Sequence, residues 1–223
     1  MKSQIELNLF LIKDKIKNAC KIYKQDVARV NLIAVSKTIS KEKIIEAINA
    51  NCKIFGENYI KEAAEKWPEI KKNFPEIKLH FIGHLQSNKA AEAVDLFDCI
   101  ETLDSEKLAL ALKKEIKKQQ KNPEFFIQVN IGEEDQKGGI LPSEVKNFVK
   151  FCREENLNIT GLMCIPPSDE LASPYFALLA KIARENNLTK LSMGMSSDYE
   201  DAIALGTTHI RLGTAIFGER EKK

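Results

Sequence analysis

The 223-residue chain carries no excess of either charge. Thirty-four basic and 32 acidic side chains leave +2 at pH 7, too weak a field to gather nucleic acid or an acidic membrane. Its five cysteines, Cys20, Cys52, Cys99, Cys152 and Cys164, form no CxxC pair and no Cys/His cluster. Neither a disulfide framework nor a metal site is expected, and the thiols read as reduced. Long apolar runs are missing too. Leu9-Phe10-Leu11-Ile12, flanked by Lys13, Asp14 and Lys15, is too short for a signal segment or a membrane span, so a cytoplasmic setting is expected. There is no tract rich in Pro, Gly or Ser, no long repeat, and no Walker A, HExxH, GxSxG, EF-hand or GxGxxG pattern, which removes the commonest nucleotide, zinc, hydrolase and calcium chemistries.

What is present is an average globular composition, 43% hydrophobic and 30% charged, at a length that α/β barrels commonly reach as one unit. A single domain over residues 1–223 is expected. Ile5, Leu9, Ile12, Ile16, Cys20 and Tyr23 recur at three- and four-residue steps, the period of a half-buried helix over residues 3–25. Eight short β-rich runs follow: 31–36, 53–56, 79–83, 98–102, 125–130, 159–165, 190–195 and 209–214. Helical stretches such as 41–48 and 108–116 separate them. Eight strands alternating with helices predict a parallel sheet closed into a single (β/α)8 barrel with an extra N-terminal helix. An open doubly wound sheet is the alternative, weakened because the turn 36–40 after the first strand has no glycine.

In a closed barrel the strand C-termini meet at one face, which holds the site because the interior is packed. The residues arriving there are Lys37 after strand one, Glu57-Asn58 after two, His84 and Gln86-Ser87-Asn88-Lys89 after three, and Asn130 at the end of five. Pro166-Pro167, Ser196-Ser197 and Gly213-Thr214 follow strands six, seven and eight. Lys37 directly follows an apolar strand, and a desolvated amine frees its lone pair to form a Schiff base. A lysine at a strand end can equally just reach solvent. Arg211, one of five arginines against 29 lysines, sits between Ile210 and Leu212 inside the last strand, where a permanent cation needs a partner. That partner could be a structural carboxylate, or a phosphate held by the loops after strands seven and eight. His80 and His209 fall within strands and read as satisfied core residues, and Phe125-Phe126 as buried strand. The lysines at 113, 114, 117, 118 and 121 read as a solvated helix face, not a nucleic-acid surface.

Several segments resemble the pyridoxal phosphate homeostasis family, also called proline synthetase co-transcribed proteins. They are Leu32-Ile33-Ala34-Val35-Ser36-Lys37-Thr38, Phe55-Gly56-Glu57-Asn58-Tyr59, the run His80 to Lys89, Gly161-Leu162-Met163, the run Leu191 to Asp198, and the run Arg211 to Gly218. The resemblance spans nearly the whole chain and implies a barrel like the N-terminal domain of alanine racemases, holding pyridoxal 5'-phosphate as a Schiff base. Carried over by motif position, Lys37 is the Schiff-base lysine, Arg211 faces the pyridine nitrogen, and Ser196, Gly213 and Thr214 hold the phosphate. Asn58 lies near the ring's phenolic oxygen. Lys137-Gly138-Gly139 stands where the family often has Lys-x-Gly.

An arginine at the ring nitrogen cannot accept its proton, which leaves a poor electron sink. Alanine racemase uses such an arginine but adds a β-rich domain bearing a catalytic tyrosine, and only Ala215 to Lys223 follow the last strand run here. The expectation is therefore a cytoplasmic, monomeric protein that stores, buffers or delivers the cofactor, with little or no turnover, no catalytic residue, and transient contact with apo-enzymes as its implied partners. Two alternatives stay open. One is an amino-acid racemase or lyase with His84 or Cys164 working opposite Lys37; the other is a phosphosugar-binding barrel.

Overall fold

The structure, a computed structural model, describes residues 3–219; the remaining positions of the expected domain, 1–2 and 220–223, lie outside the described residues. The first helix, α1 (Gln4–Ile22), starts where Ser3 accepts the Glu6 amide and buries Ile5, Leu9, Ile12, Ile16 and Cys20, the stripe its periodicity predicts. Tyr23, expected to extend that stripe, is instead the C-cap and is exposed, because the helix has ended before its ring can turn inward.

Eight strands then alternate with helices: β1 (Asn31–Val35), β2 (Ile54–Glu57), β3 (Lys78–Phe81), β4 (Cys99–Leu103), β5 (Glu124–Val129), β6 (Ile159–Cys164), β7 (Lys190–Ser192) and β8 (His209–Leu212). Each pairs in parallel with the next, and β8 pairs with β1 through Ile33↔Arg211 and Ala34↔Leu212, closing the barrel. The helices in the intervals are α2 (Lys41–Asn49), α3 (Ile60–Asn73), α4 (Ala90–Leu96), α5 (Glu106–Gln119), α6 (Val145–Glu154), α7 (Ala172–Glu185) and α8 (Tyr199–Ala204). A final turn, α9 (Thr214–Phe217), follows β8. α1 packs on α2, α8 and α9, and Asn8 Nδ2 donates to the Ile216 carbonyl at 2.9 Å.

Six strands end one to three residues earlier than expected, and the ends of β7 and β8 matter for the mouth. After Ser192 the backbone turns through Gly194, at φ +97°, where a Cβ would lie 2.6 Å from that of Ala202; only glycine combines that turn with such close packing. β8 stops at Leu212 because the Gly213 carbonyl accepts the amides of Ile216 and Phe217, making Gly213 a helix cap and Thr214 the first helical residue.

Period-two alternation sends Ile210 and Leu212 outward into the large apolar shell between sheet and helices, and His209 and Arg211 inward. The interior has a small apolar cluster of Cys99, Phe126 and Met163. Around it lie the buried polar side chains His80, Glu101, Ser192, His209 and Arg211, where such barrels ordinarily pack Val, Ile and Leu. His209 stands edge-on to Phe126 with ring centroids 5.2 Å apart, and its Nδ1 is 2.8 Å from Thr208 Oγ1. Phe125 and Phe126 are fully buried, and all five cysteines are buried and free.

This interior makes stability pH-dependent. Burial lowers the pKa of His209 to about 4 against the attraction of Glu101. The unfolded chain therefore binds more protons below pH 6.5, and stability falls as pH drops from about 6.5 toward 4. Burial would raise Glu101, but the hydrogen bond and charge of His80, with Arg211, outweigh it and bring its pKa to about 2. A second loss thus runs from about 4.5 downward. Urea midpoints measured across pH should show both losses, and His209→Gln should flatten the first while leaving the second.

Candidate functional site

Lys37 rides on a turn clamped from three sides. Just before it, buried Ser36 donates through Oγ to Glu57 Oε1 at 2.8 Å, and Trp67 Nε1 donates to the same oxygen at 3.0 Å. Just after it, Thr38 takes φ +64° and donates its amide to Glu62 Oε1 at 2.5 Å. From α3, the buried Lys66 ammonium ties these pieces together. It donates to the Ser36 carbonyl at 3.0 Å and lies 2.8 Å from Glu57 Oε1 and 2.7 Å from Glu62 Oε1. Lys37 itself is half-buried at the mouth.

Asn58 follows Glu57 at the end of β2. The end of β3 crosses directly over it, since a Cβ on Gly83 would lie 2.1 Å from the Asn58 carbonyl oxygen; a side chain at 83 would push Asn58 out of place. Glu57 Oε2 and Asn58 Oδ1 are both buried without a hydrogen-bond partner. Such atoms are uncommon in folded proteins, and here they leave two oxygens able to accept a hydrogen bond beside Lys37's stave.

Arg211 is buried in β8. Its Nη1 donates to Ser192 Oγ at 2.6 Å and its Nη2 to the Cys164 carbonyl at 2.9 Å, which occupies two of a guanidinium's five N–H groups. Two residues on, Gly213 has an ordinary φ of −115°, and a Cβ there would meet nothing closer than Val35 at 3.4 Å. Neither backbone nor packing demands glycine, so what its absent side chain keeps open is the backbone face toward the mouth. Ser196 and Thr214 are exposed. The loop bearing Ser196 is shaped by Asp198, whose Oδ1 accepts the Met195 amide at 2.6 Å.

The six expected residues therefore come from the C-terminal ends of four consecutive staves: Ser196 from β7, Arg211, Gly213 and Thr214 from β8, Lys37 from β1 and Asn58 from β2. The other polar residues read at strand ends belong elsewhere on the rim. His84 is 73% exposed and 4.0 Å from Asp104, whose pKa burial raises. Asn130 holds its own loop, accepting the Glu134 amide and donating to the Glu134 carbonyl. Lys137 pairs with Glu134 and donates to the Pro166 carbonyl at 3.1 Å, tying the loop after β5 to the one after β6. Cys164 is fully buried and desolvation pushes its thiol up to about 12, so it stays protonated and is a poor proton acceptor.

Residue spacing announced neither the Lys66 clamp nor a grouping deeper in the barrel, where ligand-type atoms of His80, Cys99 and Glu101 lie within 4.8 Å of one another. Burial raises the Cys99 thiol well above its usual range, and His80 and Glu101 hydrogen-bond at 2.6 Å. The trio reads as barrel packing, not as a metal centre.

The alanine racemase N-terminal domain family matches residues 12–221. A Pyridoxal phosphate homeostasis protein of Pasteurella multocida is 39% identical over 229 residues, covering 97% of this chain and 98% of that protein. The structure of PipY from Synechococcus elongatus, solved with PLP bound, superposes with a TM-score of 0.81 at 34% identity over 96% of this chain and 100% of its own. Alanine racemase of Acinetobacter baumannii shares the fold at a TM-score of 0.70, 16% identity and 97% coverage of this chain, which spans 61% of the racemase.

The clamp gives a direct prediction. Lys66→Met leaves Glu57 as an unpaired buried carboxylate and should cost about 3–5 kcal/mol of unfolding free energy, read by urea denaturation. Breaking the exposed Lys41–Glu69 pair should shift the same midpoint far less, because solvent screens it.

Proposed function

The chain belongs to the pyridoxal phosphate homeostasis family, built on the alanine racemase N-terminal barrel, and from that premise we propose that it binds pyridoxal 5'-phosphate at the β7–β8–β1–β2 quadrant of its mouth. Its role is to store, buffer or deliver the cofactor, with little or no turnover. The observation that carries the reading is Arg211: a buried, permanently charged guanidinium with donors to spare, beside a glycine that the fold itself does not require and next to the stave that ends in Lys37.

When bound, pyridoxal phosphate supplies an aldehyde that condenses reversibly with a primary amine, together with an anionic phosphate and a pyridine ring. Lys37 offers the amine, held at the end of β1 by the Ser36–Glu57 and Thr38–Glu62 bonds. Arg211 would hold the ring nitrogen with a donated N–H, and because a guanidinium cannot accept a proton it would leave that nitrogen unprotonated and the ring a poorer electron sink. Gly213, Thr214 and Ser196 would receive the phosphate on the side where barrels of this class bind it, and Asn58 would meet the ring's phenolic oxygen through its Nδ2 N–H groups, because its buried Oδ1 can only accept.

Holding rather than turnover is further supported by the residues that would have to act opposite Lys37. Cys164 is neutral and buried, and His84 is solvent-exposed on the β3 side of the rim. The reading treats the chain as one cofactor-binding barrel working in the cytoplasm as a monomer, meeting apo-enzymes transiently.

Purified protein mixed with pyridoxal phosphate should show a visible absorption band, and borohydride should convert it to a stable mass adduct on the Lys37 peptide. Lys37→Ala should lose both, and a wild-type protein without the adduct would refute the lysine assignment. Incubation with single L-amino acids in deuterated water should leave Cα unexchanged; exchange at ordinary enzymatic rates would favour the racemase or lyase reading. Gly213→Ala should melt within about 1 kcal/mol of wild type when cofactor-free, yet bind pyridoxal phosphate at least tenfold more weakly by fluorescence titration.

A further inference from the structure

The cofactor reading does not by itself account for the polar filling beneath the mouth. Arg211 Nη1 reaches Ser192 Oγ at 2.6 Å, Ser192 Oγ reaches Glu101 Oε2 at 2.5 Å, and Glu101 Oε1 lies 2.6 Å from His80 Nδ1. Four residues from β8, β7, β4 and β3 thus form one unbranched series across the barrel, and all four are buried.

Chemistry dictates where the protons sit. A guanidinium only donates, so Ser192 accepts from Arg211 and must pass its single proton onward to Glu101. Glu101 is ionised, as its depressed pKa requires, and accepts from Ser192 on one oxygen and from a His80 protonated at Nδ1 on the other. The carboxylate is the counter-charge of the guanidinium, yet the serine hydroxyl stands between them. Each bond polarises the next, which makes Ser192 a stronger acceptor than an isolated hydroxyl.

We propose that Glu101 is a positioning residue for the pyridine ring of the cofactor: acting through Ser192, it fixes the plane of the Arg211 guanidinium so that a remaining N–H faces the ring nitrogen. The inference rests on the function proposed above. An arginine side chain is long and loses much rotamer freedom when it is fixed. Two anchors on different staves, Ser192 Oγ and the Cys164 carbonyl, remove that freedom before any ligand arrives. Glu101 also neutralises the buried charge without coming within reach of the guanidinium itself, so no carboxylate competes with the ring for Arg211's free donors.

A purely structural network would affect melting alone, so the test reads the ring. Ser192→Ala cuts the series and leaves the Glu101–His80 pair; Glu101→Gln keeps the shape and removes the charge. With both proteins shown folded by far-ultraviolet circular dichroism, each is titrated with pyridoxal phosphate while the visible band is recorded. The proposal expects affinity to fall about tenfold, the scale on which outer partners of a primary contact act, and the band maximum to move from its wild-type position. Wild-type affinity and an unmoved band in folded Ser192→Ala would overturn it, and that variant decides alone if Glu101→Gln does not fold. A wild-type protein with no borohydride-reducible band overturns the cofactor reading and this proposal together, whereas a wild-type band with unchanged variants overturns only the positioning role.

Discussion

A guanidinium cannot shed its proton, so placing one inside a closed barrel commits the surrounding residues to compensating it. Burial of an ion costs several kcal/mol even after relaxation, and Arg211 is 5% exposed. The compensation is Glu101, itself completely buried, reached through Ser192. Glu101 in turn draws in His80, and His80 brings His209 alongside with ring centroids 5.8 Å apart. One charge near the mouth thus explains polar residues on four staves where an all-aliphatic filling would pack more simply.

A second constraint acts at the rim. Lys37 ends a strand, and residues after a strand have no ladder to hold them. The Lys66–Glu57–Glu62 clamp substitutes for that ladder, fixing the residues on either side of Lys37 to α3 and β2. It holds the residues on either side of Lys37, so the turn that carries the amine is rigid. Pre-positioning of this kind moves the ordering cost from the binding step to folding.

How legible this was follows from the range of each interaction. The barrel could be read because its signal is local and repeated: eight apolar runs, each bounded by a helical stretch, and an arginine between Ile210 and Leu212 whose inward face alternation alone assigns. The strand ends at 192 and 212 could not, because they depend on Gly194 packing against Ala202 and on the Gly213 carbonyl capping α9. Tyr23 kept the helical period one residue past the end of the helix, where it is already the cap. Least legible were the long-range groupings. Glu101 and Ser192 are 91 residues apart and meet only once the barrel has closed. Lys66 looked like one lysine among 29 on a charged helix.

The same charge arithmetic bears on the proposed role, in which the barrel holds the cofactor rather than turning it over. A carboxylate at the ring nitrogen would share or surrender a proton and let the ring draw electrons from a bound amino acid; a guanidinium does neither. Glu101 is close enough to balance Arg211 and, screened by Ser192, does not itself meet the mouth. With Cys164 neutral and buried behind Arg211, the described residues at this quadrant supply an amine, fixed donors and an open glycine face. On the function proposed above, these groups suit reversible capture of an aldehyde and an anion. On that same proposal, the residue that would anchor the ring is also the one that would restrain its chemistry.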